Sequence, residues 1–174
     1  QALVVADLPF GSYQEGPAQA LATSARFMKE AGAHAVKLEG GHSVLPQIAA
    51  LAGAGVPVIG HLGLTPQSVN LLGGYRVQGR GESGQRLLQD AKSLESAGAA
   101  AVVLEVVPAD LAASVTEVLS IPTIGIGAGA ATDAQVIVWQ DLLGLTPDPA
   151  PRFVRRYANL REVMAGAVSS LSLI

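Results

Sequence analysis

The chain has 174 residues, a formal net charge of −3 and 49% hydrophobic residues, very few of them aromatic. That length fits one domain with a sizeable core, and so much aliphatic side chain excludes a disordered polypeptide. There is no basic patch interleaved with aromatics, which argues against a nucleic-acid partner, and with no cysteine there are no disulfides or zinc–thiolate sites, so the expected compartment is a reducing cytoplasm.

The first apolar run, residues 2–6, reads as a strand and ends at Asp7. Residues 17–31 follow with helical spacing. A Gly just past that helix, in Ala31-Gly32-Ala33, is an ordinary stop signal. The second run, 33–38, leads into Glu39 and carries Lys37 within it. Residues 40–75 hold no Asp, Glu, Lys or Arg, yet Pro46, Pro57, Pro66, Gln47, Gln67 and Asn70 interrupt them. No apolar stretch of the ~20 residues that a spanning helix needs survives there. No membrane is expected, and one helix of this uncharged region is a candidate for contact with another subunit.

The third run, 56–60, ends at His61. Residues 84–97 have helical spacing and end in Ala97-Gly98-Ala99, and the fourth run, 100–104, ends at Glu105. The fifth, 122–126, runs into the glycines at 125–129. The sixth, 136–139, ends near Asp141, and residues 152–167 read as a closing helix.

Continuous apolar runs are the mark of strands buried on both faces, and strands alternating with helices predict an α/β fold with a parallel sheet. An open doubly wound sheet and a (β/α)8 TIM-type barrel both meet that description. No GxGxxG joins the first strand to the first helix, and reactive residues end several different strands, which is the barrel habit. A complete barrel typically needs roughly 250 residues, so about six of the eight βα units are expected here. The expectation is a single barrel domain over residues 1–174, incomplete at the N-terminus.

In such a barrel the strand ends share one rim, where active sites sit. Side chains alternate along a strand, so Lys37 and Glu39 share a face. A charged pair at the end of a buried strand is costly unless something pairs with it. Asp7 and Glu39 end consecutive strands, and two such carboxylates suit magnesium, which commonly takes one or two and keeps other positions for substrate and water. The alternative is a solvated rim or ion pairing with Lys37. Glu105 ends an aliphatic run. Lost hydration makes a carboxylate a better proton acceptor, which suits a general base; its structural alternative, capping the next helix, falls more naturally to Asp110. His61 either joins the site or orients the turn at 60–66, and the second role is preferred. His34 and His42 show no ligand spacing. The glycines at 125–129 suit either phosphate binding or close backbone packing, and the loop at 73–81, with Arg76 and Arg80, suits an anionic substrate tail or a mobile rim. Ser12 and Ser68 have no assignable base.

The motifs Ala6-Asp7-Leu8-Pro9-Phe10, Val36-Lys37-Leu38-Glu39-Gly40-Gly41, Gly60-His61-Leu62-Gly63-Leu64-Thr65-Pro66-Gln67, Gly73-Gly74-Tyr75-Arg76-Val77-Gln78-Gly79-Arg80 and Ile124-Gly125-Ile126-Gly127-Ala128-Gly129 occur in this order. Together they resemble the ketopantoate hydroxymethyltransferase family over most of the chain. The resemblance implies a (β/α)8 barrel of the phosphoenolpyruvate/pyruvate type. It implies transfer of a one-carbon unit from 5,10-methylenetetrahydrofolate to 3-methyl-2-oxobutanoate, giving 2-dehydropantoate. It would make Asp7 a ligand of both Mg2+ and the oxo acid, Lys37 a substrate-binding residue, Glu39 a part of the magnesium site and Glu105 the proton acceptor. It also implies a large homo-oligomer, a decamer in the family. The family's Gly-Asp-Ser motif is not in this sequence and is expected upstream of Gln1, so the chain by itself is expected to be inactive. The competing expectations are a magnesium-dependent lyase of the same superfamily and a truncated barrel that acts only in assembly.

Overall fold

The structure is a computed structural model that describes residues 2–171. It falls into two compact units, Gln1–Gln135 and Val136–Ile174.

The first unit alternates strands and helices: β1 (Val5–Asp7), α1 (Pro17–Ala31), β2 (Ala35–Glu39), α2 (Leu45–Gly53), β3 (Val58–Gly63), α3 (Glu82–Ser96), β4 (Ala101–Glu105), α4 (Ala109–Val118), β5 (Thr123–Ile126) and β6 (Ala134–Gln135). Local chemistry explains the helix limits. Pro17 opens α1 with its φ already set and no N–H to leave unpaired. At the other end Gly32 takes a left-handed φ of 69°, and the Ala33 N–H donates back to the Phe27 carbonyl. Glu82 sits in the first turn of α3, where the helix dipole favours negative charge.

All six strands are parallel and hydrogen-bonded in sequential order, β1 to β6. A doubly wound sheet reverses its strand order at a switch point; this one does not, so that alternative is excluded. The alternation of side chains then separates the two faces. Val36, Leu38, Val58, Leu62, Val102 and Leu104 pack with Ile48, Leu51, Leu94 and Val115 of the helices in the main core. The intervening positions Ile59, Ala101, Val103 and Ile126 form a smaller cluster built from strand residues, with Ile124 against it. Lys37, paired with Ile59, and Glu39, paired with His61, belong to this second face.

Two sequence expectations need correction here. The sixth strand is not at 136–139. Only Ala134 and Gln135 pair with β5, opposite Ile124 and Gly125. β5 ends at Ile126, and Gly127 turns away at φ 61°, so the ladder has no further partner. Asp141 is therefore not at a strand end; it lies in α5 (Trp139–Leu142) of the second unit. Nor does a helix start at 152. In that unit the Tyr157 N–H donates to the Leu142 carbonyl and the Leu160 N–H to Leu143, tying this segment to α5 instead of letting it coil. The helix α6 runs over Leu160–Leu171, after Asn159, a residue type favoured at helix starts. Among the described residues no helix is long and apolar enough to cross a membrane.

Candidate active site

Five side chains meet at the C-terminal ends of β1 to β4. Register does the assembly: Asp7 lies opposite Lys37, Glu39 opposite His61, and Gly63 opposite Glu105. Lys37 Nζ is 2.8 Å from Asp7 Oδ1, 4.0 Å from Glu39 Oε1 and 3.3 Å from His61 Nδ1. His61 Nδ1 is 3.8 Å from Glu39 Oε1, and its Nε2 is 3.2 Å from Glu105 Oε2. The result is a continuous polar chain, Glu105–His61–Lys37–Asp7, with Glu39 beside its middle.

Lys37 has only protons to offer, so its contact with Nδ1 assigns the ring proton to Nε2, the nitrogen facing Glu105. The Nε2 to Glu105 approach has ion-pair length without the geometry of a hydrogen bond, and Nε2 has no other partner in its buried position. It is therefore read as an electrostatic contact. The sequence preference for His61 as a turn residue does not describe this position: the side chain is 3% exposed and joins the acid–base cluster.

Glu39 and Asp7 differ sharply, with side chains 4% and 53% exposed. Burial raises the carboxyl pKa of Glu39. The Gln67 N–H, His61 and Lys37 oppose the shift, while the charge of Asp7 adds to it. A cation between Asp7 and Glu39 would offset that cost, and two oxygen donors on neighbouring strands are what magnesium commonly takes from protein. Among the described residues no group of three or more His, Asp or Glu has metal-site geometry. The pair could supply two oxygen donors of a magnesium coordination sphere and not a whole one, and Lys37 Nζ lies beside both carboxylates.

A hydrogen-bonded frame that no sequence motif signals surrounds Glu39. The Gln67 backbone N–H donates to Glu39 Oε2 at 2.9 Å. The Gln67 side chain donates to the Leu8 carbonyl at 2.9 Å and accepts from the Tyr13 hydroxyl at 3.0 Å. That hydroxyl also accepts the Glu39 N–H at 3.3 Å, and Gln47 donates to the Tyr13 carbonyl at 3.1 Å. Burial pushes the Tyr13 hydroxyl up to about 12, so it stays protonated and can serve both contacts. Gln67 ends the motif at residues 60–67, but no spacing rule points to it. A buried Tyr needs a polar partner, and that was the available signal.

Backbone strain marks the residue after Glu105. Val106 is the one non-glycine with positive φ, 49°, among the described residues. A β-branched residue there is a genuine outlier. Its N–H donates to the Ile126 carbonyl at 2.8 Å, and its carbonyl accepts from the Gln78 N–H at 3.0 Å, so both neighbours hold the turn. Close packing aims Glu105 as well: any side chain at Gly63 would strike the Glu105 carbonyl oxygen.

The other sequence candidates lie apart. The His34 Nδ1 accepts the Val4 N–H at 3.0 Å, a structural contact, and the His42 N–H donates to Asp90. Ser12 Oγ donates to the Pro9 carbonyl at 2.6 Å, closing a turn. Asp110 does not cap α4; Pro108 occupies the cap and Asp110 the first turn. In the glycine run, a side chain at Gly125 would meet Thr132 and one at Gly129 would meet Ala109, as the close-packing reading requires. A cavity of about 550 Å3 lies between the starts of α3 and α4 and touches none of the five residues. Another, of about 200 Å3, is lined by His61 together with Gly40, Thr65 and Gln78. The cluster sits on the sheet face that α1 to α4 leave uncovered, yet the His61 and Glu39 side chains are buried there.

The sequence profile of the ketopantoate hydroxymethyltransferase family matches residues 1–172. The chain belongs to this family. It is 70% identical over 167 residues to a 3-methyl-2-oxobutanoate hydroxymethyltransferase of Frankia alni, a match covering 96% of this chain and 55% of that protein. It is 64% identical over 173 residues to the enzyme of the same name from Thermobifida fusca, covering 99% of the chain and 61% of the relative. The chain therefore spans little more than half the length of these family members. Among solved structures, phosphonopyruvate hydrolase superposes with a TM-score of 0.54 at 15% identity, covering 95% of this chain and 57% of that one. A putative phosphonomutase from Burkholderia cenocepacia gives 0.56 at 16% identity, covering 98% and 68%. At such low identity these likenesses speak for the fold alone: a parallel α/β sheet curled as part of a barrel.

Proposed function

We propose that this protein transfers a hydroxymethyl group from 5,10-methylenetetrahydrofolate to 3-methyl-2-oxobutanoate, giving 2-dehydropantoate. Family membership supplies the reaction class. The observation that carries the assignment of roles is the Glu105 carboxylate at the end of β4, 3.2 Å from the buried His61 ring. Sequential parallel strands with helices on one face support a (β/α)8 barrel, with this chain contributing about six of its eight units to a single domain.

In this reading Asp7 and Glu39 hold magnesium, which when bound draws electrons from the 2-oxo group and favours the enolate. Asp7 also contacts the oxo acid. Lys37, already placed among carboxylates, offers its positive charge to the bound anion. Glu105 takes the proton from C3 of the substrate onto a carboxylate oxygen. His61, with its Nε2 proton facing that oxygen, orients the base. Water hydrolyses the two C–N bonds of the folate's methylene bridge, which releases tetrahydrofolate and leaves the carbon as formaldehyde. The enolate carbon adds to that carbonyl carbon, and its oxygen takes up the proton held by Glu105 to become the new hydroxyl. The expected setting is the cytoplasm and a homo-oligomer.

The test uses the complete encoded polypeptide. Glu105→Gln should lower turnover about 10²–10⁴-fold, the usual worth of a positioned general base, and should equally slow exchange of the C3 hydrogen of 3-methyl-2-oxobutanoate with deuterated water. Wild-type rates for both in that variant would remove Glu105 from the role. Product formed without any folate would instead point to the magnesium-dependent lyase reading.

A further inference from the structure

Asp7 and Glu39 end different strands, and the ladder between β1 and β2 stops at the pairing of Asp7 with Lys37. Beyond it, among the described residues, the Leu8 N–H bonded to the Lys37 carbonyl at 2.8 Å is the one backbone–backbone bond that still joins the two strands. Neither carboxylate is therefore held to the other by its own strand. Gln67, in the turn Pro66–Ser68 after β3, touches both sides. Its backbone N–H holds Glu39 Oε2 at 2.9 Å, and its side-chain Nε2 holds the carbonyl of Leu8, the residue after Asp7, at 2.9 Å. The Tyr13 hydroxyl accepts the Glu39 backbone N–H at 3.3 Å and has its one proton within reach of Gln67 Oε1, at 3.0 Å, and of the Glu39 carbonyl, at 3.2 Å.

We infer that Gln67 is a positioning residue that sets the separation and orientation of the Asp7 and Glu39 carboxylates, with Tyr13 locking its amide. The inference rests on the reading of Asp7 and Glu39 as magnesium ligands and adds what holds them. Leu8 is fully buried, so its carbonyl needs an internal donor. A glutamine fits because one amide donates to Leu8 and accepts from Tyr13 while its backbone serves Glu39. Carboxylates that bind a cation are themselves hydrogen-bonded, and removing such an outer partner typically weakens metal binding about 10–100-fold.

The experiment measures Mn2+ binding to the complete polypeptide by the electron paramagnetic resonance of the free ion, with no substrate or turnover involved. Asp7→Asn and Glu39→Gln test the ligands. Gln67→Leu removes the amide at similar size. Gln67→Asn keeps the amide but is too short to span, and it carries the test if the leucine variant does not fold. Tyr13→Phe removes the lock. The expected result is a loss of Mn2+ affinity of about 10-fold or more in both Gln67 variants, with a smaller loss in Tyr13→Phe. Loss in the two carboxylate variants with wild-type affinity in both Gln67 variants overturns the inference, even if their melting temperatures fall. Wild-type affinity in the Asp7 and Glu39 variants overturns the magnesium reading itself, and the inference with it.

Discussion

The two faces of the sheet come from the same strands and carry opposite chemistry. On one, Val36, Leu38, Val102 and Leu104 pack against α1 to α4 and are fully buried. On the other, one residue away each time, stand Lys37, Glu39 and, across the ladder, His61, with only a small aliphatic cluster below them. The helix-covered face holds the strands in place; the open face spends that rigidity on charged groups that no fold needs for stability. The lesson is that the alternation of a strand lets one segment do both tasks without compromise.

Leu38→Ala attacks the covered face between two site residues. It should cost about 2–5 kcal/mol in urea unfolding, the range for a buried leucine truncation. A cost below 1 kcal/mol would mean that this face is not the one that holds the fold.

Glu39→Gln attacks the open face and should act in the other direction. Burial raises the Glu39 pKa in the folded state. Its favourable contribution is thus fully present below the unfolded carboxyl range, near 4.3, and is lost as pH rises through the raised folded value. Glutamine mimics the protonated form at every pH. In chelator-treated protein the variant should therefore melt higher than the wild type at neutral pH, by less than the core truncation costs, and the gap should close as pH falls below about 4. A gap that widens in acid would reverse the electrostatic assignment.

Val106→Gly probes the seam between the faces. Relief of a left-handed backbone is worth roughly 1–2 kcal/mol, against about 0.5–1 kcal/mol for the added freedom of glycine in the unfolded chain. Stability should stay within about 1 kcal/mol of wild type, whereas turnover should fall if the strained turn aims Glu105. Calorimetry beside steady-state kinetics separates the two effects.

Much of this architecture was legible beforehand. Helix α1 coincides with its expected span because Pro17 and Gly32 are local signals that need no partner. Strands β1 to β5 lie within a few residues of the apolar runs; in β2 to β5 burial leaves a continuous apolar record, whereas β1 is apolar but largely exposed. The short β6 and the late start of α6 were not legible. A strand needs a ladder, and β5 stops offering one after Gly125; residues 152–159 are occupied by backbone bonds to Leu142 and Leu143.

The site divides in the same way. The sequence alone determined that Asp7, Glu39 and Glu105 fall at strand ends and that Lys37 and Glu39 share a face, because parity is a property of a single strand; His61, expected at a strand end, lies inside β3, which pairing with β4 extends to Gly63. Tertiary structure decided that His61 stands between Lys37 and Glu105, because that depends on register across β2, β3 and β4. It alone brought Tyr13 and Gln67 to Glu39 across 26 and 28 positions of chain. The physical reason is range. Periodicity and turn chemistry act over a few residues, whereas hydrogen bonds to a buried carboxylate come from whatever the packed strands place beside it.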